Sequence, residues 1–149
     1  IQSGLKLARE KGVIGLEAYL LSTYGEVALA AGELDLAEKC FTEGQEVAER
    51  FEVKERVAGL TANLGLVALA KGQTALAIHR LSTALGLADA LGTRHLAAQI
   101  RLWLVPLLPG SQAGGLLEEA RSFAIESGRM LLIEQADRLL EEIGRKQLA

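Results

Sequence analysis

The chain has 149 residues, half of them hydrophobic but only 4% aromatic, and its 16 basic and 19 acidic side chains leave a net charge of −3. That is one domain's worth of chain, and with Arg and Lys scattered among acids it lacks the clustered basic face of a nucleic-acid binder, so no nucleic-acid partner is expected. The single cysteine, Cys40, excludes an internal disulfide framework and fits a reducing, cytoplasmic setting, while the lack of an 18-residue apolar run or a signal peptide argues against a membrane partner.

The apolar content is mostly Leu and Ala, strong helix formers, and the only prolines are Pro106 and Pro109. An all-α fold follows. The chain opens on Ile1 and not on methionine, so it is read as a piece of a longer protein. Residues 2–11 read as the second helix of a unit whose first helix is missing. From there the sequence repeats. VALAAGELDLA (27–37) aligns with VALAKGQTALA (67–77) at an offset of 40. Gly25 matches Gly65 and Gly32 matches Gly72. Leu20, Leu60 and Ile100 align, as do Tyr24, Leu64 and Leu104, and Gly12, Glu52 and Gly92 mark one boundary.

Each unit reads as two helices. The first helices are predicted near 16–31 and 54–70, and Val57, Leu60, Leu64 and Val67 form one helical stripe. Gly32 and Gly72 end them, since glycine takes the left-handed cap without a Cβ penalty. Thr74 is the expected N-cap of the next helix, which carries Ala77, Leu81, Ala84, Ala88 and Leu91. The first unit repeats that stripe with Ala37, Phe41, Gly44, Ala48 and Phe51. Gly25 and Gly65 fall mid-helix, where glycine costs about 0.5–1 kcal/mol relative to Ala. The same cost at the same place in both units predicts a close helix crossing.

The third unit is expected to be irregular. Its first helix is predicted over 95–108, with a kink or stop near Pro106. PGSQAGG (109–115) reads as a long loop, 116–127 as a shortened second helix and 129–143 as a final helix. The units thus run 1–12 (half), 13–52, 53–92, 93–128 and 129–149 (half). Leu132, Ala136, Leu139 and Ile143 form a packing stripe on the last helix. Met130 and Leu131 lie off it, and Leu5 and Leu7 are expected to be poorly covered. The ends are therefore expected to self-associate, making a homo-oligomer, or to meet neighbouring repeats.

Tyr24, Gly25, Ala28, Gly32, Ala37 and Phe41, and again Leu64, Gly65, Ala68, Gly72, Ala77 and Leu81, resemble the tetratricopeptide repeat (TPR). The match covers about residues 16–92 well and the rest loosely. The period departs from the family's ~34 residues, and the family's proline at the repeat end is absent. The longer helices are similar to TPR arrays in bacterial signalling ATPases and transcription activators. The resemblance implies a right-handed α-α superhelix (solenoid) of antiparallel pairs. It implies a non-catalytic scaffold for a protein or peptide partner, in a larger regulatory or signalling protein. It also implies a ligand groove lined by first helices: Tyr19, Ser22, Thr23 and Glu26, then Gly59, Asn63 and Leu66, then Gln99 and Trp103. Tyr19 and Trp103 are equally well explained as packing between units. The basic set with which some relatives hold a C-terminal carboxylate is missing.

No chemistry competes strongly with that reading. His79 and His95 are dispersed and read as surface residues, and with one cysteine they build no ordinary zinc site. Cys40, beside Phe41, reads as a small buried hydrophobe. Glu118-Glu119 and Glu141-Glu142 point about 100° apart on a helix and read as solvated faces. Gly114-Gly115 reads as a connector at a helix start. No catalytic residue, metal or cofactor is expected. The alternatives are a helical portion of a multidomain enzyme and a self-associating structural module.

Overall fold

The computed structural model describes residues 2–12 and 14–148. Among them the chain is all-α: α1 (Gln2–Lys11), α2 (Ile14–Ala30), α3 (Leu34–Arg50), α4 (Lys54–Ala70), α5 (Thr74–Leu91), α6 (Arg94–Leu104), a 3₁₀ turn (Val105–Leu107), α7 (Gly110–Ser127) and α8 (Met130–Leu148). The 40-residue offset is realised in the helices themselves, since α2 and α4 both have 17 residues and begin at 14 and 54, and α3 and α5 begin at 34 and 74. The helices group into two compact units, 1–87 and 88–149.

In the first unit the two mid-helix glycines sit where the sequence puts a crossing. A Cβ built on Gly25 would lie 2.5 Å from Cε1 of Phe41, and one on Gly65 would lie 2.9 Å from Cγ of Leu81 and 3.3 Å from its backbone nitrogen. The bulky residue of the second helix thus lies directly over the glycine, with Ala37 and Ala77 fully buried beside it. Phe41 joins Ala28, Ala48, Leu60, Leu64 and Val67 in one core cluster. Burial of large apolar side chains of this kind stabilises by about 1.5–3 kcal/mol each. Leu5 is buried against Ala18, Leu21 and Val47, correcting the expectation that it is poorly covered, whereas Leu7 is exposed. Phe51 is exposed too. It falls one residue past the end of α3, and the Arg50 guanidinium lies 5.8 Å from its ring centroid.

Outside the α6–α7 turn, the joints between helix pairs and within them share a left-handed residue. Residues 12, 32, 52, 72, 92 and 128 all have positive φ, and five-residue Schellman bonds recur, such as Gly72 N–H to Leu69 C=O and Gln73 N–H to Ala68 C=O. Glu52 is the only non-glycine among them, at φ 56°. The residue that follows takes φ near −80° with ψ near 75° at Glu33, Val53 and Thr93, and none of these makes a side-chain cap. Thr74 is likewise not a cap: Gln73 C=O accepts the first helical bond, from Ala77, so Thr74 already lies in the first turn.

In the second unit α6 stops at Leu104 and Pro106 lies in the 3₁₀ turn, as the missing proline donor requires. PGSQAGG is not a loop. Pro109 caps α7, its carbonyl accepting from Gln112 and Ala113 N–H at 2.9 Å each, so Gly114 and Gly115 lie inside an 18-residue helix. The glycine cost is overcome because Ala113 and Leu117 join the core cluster with Leu102, Val105, Ala120, Leu132 and Ala136. Leu139 and Ile143 pack against that cluster from α8.

Two substitutions test this packing. Gly65→Leu should lose about 1–3 kcal/mol through overpacking, while Gly59→Ala, with nothing within 4 Å of the new methyl, should gain about 0.5–1 kcal/mol from helix propensity. Urea denaturation reads both, and a gain at Gly65 would contradict the crossing. Glu52→Gly should raise stability by up to about 1 kcal/mol, because it removes a left-handed penalty, partly offset by a freer unfolded chain. A loss there would mean that the Glu52 side chain is needed at the joint.

Candidate functional site

The expected groove residues lie on first helices, and each unit carries its own part of the set. In the first unit α2 and α4 are neighbours. The Asn63 amide donates to Glu26 Oε1 at 3.5 Å, bridging the two helices. The Arg56 guanidinium lies 5.5 Å over the half-exposed Tyr19 ring, a geometry worth about 0.5–1 kcal/mol at an exposed site. Thr23 Oγ1 donates back to Tyr19 C=O at 3.0 Å, and its residue is half-buried, as are Gly59 and Leu66. Ser22 departs from the set: it is buried and presents almost no surface. The face that remains mixes one aromatic ring, one acid, one base and neutral polar groups.

In the second unit α6 and α8 are neighbours and repeat the pattern. Gln99 Nε2 donates to Gln135 Oε1 at 3.1 Å, and Trp103 is half-buried on the same helix as Gln99. Each unit therefore shows side-chain amides bridging adjacent first helices. Such bridges fix the polar groups of a surface without filling it.

A second feature of this unit has no counterpart in the expected set. A cleft of about 580 Å³ is lined by Asp89, Arg94, Arg101, Glu118, Glu119 and Phe123, among others. Arg101, only 17% exposed, pairs with both Asp89 oxygens at 2.9 and 3.1 Å, and its Nε lies 3.1 Å from Glu119 without the alignment of a hydrogen bond. The sequence holds one signal for this network. At the offset of 40, Arg101 stands where the earlier units have Leu21 and Thr61, both buried. Thr61 answers burial by accepting from Gln45 at 2.7 Å and donating to Val57 C=O at 2.8 Å; Arg101 answers it with two carboxylates. Arg94 and Arg129 flank the Phe123 ring at 4.8 and 6.0 Å. Nearby, partial burial, and then the charge of Arg129, push the His95 imidazole below its usual range.

Among the described residues no three His, Cys, Asp or Glu side chains converge as a metal ion would require, and no helix is long and apolar enough to cross a membrane. His79 and His95 are exposed, as expected for surface residues, and Cys40 is buried. Burial pushes the Cys40 thiol up, with the Glu43 charge adding to the effect. Compared with known proteins, the chain matches no family model and no curated protein.

Cys40 offers a direct check on the first unit's packing. A buried thiol with a raised pKa holds little thiolate. A maleimide should therefore label the native protein at least about tenfold more slowly than the urea-unfolded chain. Equal rates would mean that the wall formed by α3 opens readily.

Proposed function

We propose that this chain is a protein-binding scaffold built from TPR-like helix pairs, that it acts by binding and not by catalysis, and that its partner is a peptide or protein segment lying on the first-helix faces. The observation that carries the reading is the bridged pair of first helices in the first unit. There Tyr19 is half-exposed, while Glu26 and Asn63 are tied across α2 and α4. Rotamers held by neighbours lose less entropy when a ligand arrives, and aromatic anchors supply contact area at low entropic cost. The nearly neutral lining suits a helical or extended segment of mixed polarity more than a strongly charged one. The resemblance to TPR arrays in larger regulatory proteins extends the proposal to a cytoplasmic signalling role.

Selection of a displayed peptide library against the intact chain tests the reading. Tyr19→Ala and Asn63→Ala should each weaken the selected peptides about tenfold or more, the loss typical of an anchor, without lowering the melting temperature appreciably. Thr42→Ala and His79→Ala, at exposed positions on second helices, should leave affinity unchanged. Peptides that respond to the second pair and ignore the first would place binding elsewhere.

A further inference from the structure

The repeat supplies its own control for deciding which exposed apolar residues are surplus to folding. At the joint between α7 and α8, Ile125, Met130 and Leu131 are 49%, 64% and 80% exposed. Moved back by 36 residues, the offset between the Gly92 and Gly128 joints, these positions are Asp89, Arg94 and His95. Moved back by a further 40, they are Glu49, Lys54 and Glu55. All six are exposed and all are titratable. The backbone at the three joints is equivalent, each a Schellman turn around a residue of positive φ. At these three matched positions the two earlier joints carry charge, although Phe51 and Val53 are exposed beside Glu52, and the α7–α8 corner carries three apolar side chains instead. None of the three belongs to the core cluster of its unit, which is built from Leu132, Ala136 and their partners. Exposed apolar surface that packing does not require marks a contact site.

The charges bordering the corner select the occupant. Glu126 and Arg129 flank the turn, and Glu134 and Arg138 lie one and two turns along α8. Counting the Arg94 that reaches Glu126, two acids and three bases mix both signs, so a partner of a single strong sign meets like charge here. Glu134 and Arg138 form no ion pair among the described residues, and Glu126 has only a loose contact, 3.9 Å from Arg94 with both side chains about 70% exposed. A rim of this kind is complementary to itself: rotated by a two-fold axis, an acid of one copy can meet a base of the other. We propose that this corner is a self-association surface, at which a second copy of the chain docks its own Ile125, Met130 and Leu131. None of Ile125, Met130 and Leu131 is among the first-helix residues assigned to a partner.

Sedimentation equilibrium of the full chain from about 10 μM to 1 mM tests this, a range suited to the weak affinity of a small interface. The mass should rise with concentration from 15.9 kDa towards twice that value and no further, because a two-fold contact closes. Leu131→Asp should hold the chain at the monomer mass, while Leu7→Asp, at the exposed apolar position of α1, should leave the dimer intact. Leu131 is 80% exposed, so Leu131→Asp should leave the fold intact, and Met130→Ser gives an independent second reading. Glu134→Arg should weaken association about tenfold by setting like charges across the axis, and Glu134→Arg with Arg138→Glu should restore it. The proposal is overturned by a wild-type chain that stays monomeric to 1 mM, by growth beyond the dimer, by a Leu131→Asp dimer, or by charge variants that behave like the wild type.

Discussion

The close approach of helices at Gly25 and Gly65 is the constraint from which the rest of the first unit follows. A methyl group at either position would lie within 3 Å of the facing side chain, so helix spacing is set by the absence of a side chain on one partner and a bulky one on the other. Alanines line the same contact, with Ala28, Ala37, Ala48, Ala68 and Ala77 all buried. Small residues bring the backbones together, and Phe41 and Leu81 fill what space remains, which is how an interior reaches crystal-like density with few aromatics. The second unit shows the converse. At the offset of 40 from Gly65 stands Val105, and there α6 gives way to a 3₁₀ turn before Pro106. Where the crossing glycine is absent, the straight first helix is absent too.

Much of this was legible in the sequence because it is repeated. A glycine that recurs mid-helix, or a joint that recurs at Gly12, Glu52 and Gly92, signals geometry that a single occurrence cannot. The start of α4 followed from such signals, and the stop near Pro106 from the proline's missing donor. The misreadings share a cause. PGSQAGG was judged on propensity alone, and Gly114 and Gly115 are poor helix residues until Ala113 and Leu117 are seen to reach the core. Thr74 has the right chemistry for a cap, but the Schellman turn shifts the helix start by one residue. Leu5 was given no partner because Val47, far along the chain, supplies it.

The candidate site was less legible for a physical reason. Helical periodicity tells which side of a helix faces inward, but not how far a side chain at the edge of that face is covered. Ser22 and Tyr19 lie three residues apart on α2, yet one is buried and the other half-exposed. The pairing of Asn63 with Glu26 depends on which helices are neighbours, a property of the assembled unit. The Arg101 network shows the opposite case, in which a residue out of character for its repeat position announces a local solution. Sites carried on helices, as these are, hold their geometry better than sites on loops.

The uniform joints have an evolutionary consequence. Outside the α6–α7 turn, each one is closed by backbone hydrogen bonds around a single left-handed residue, with no side-chain N-cap at Glu33, Val53 or Thr93. Amino-acid identity around a joint is therefore nearly free to drift, provided that one position tolerates positive φ. Length is not free. Adding or deleting one residue would rotate the following helix by about 100°, carrying its alanine stripe off the crossing and turning charged positions inward. Such a chain can diverge widely in sequence while its spacing stays fixed, so relatives are better sought by the rhythm of small residues than by identity.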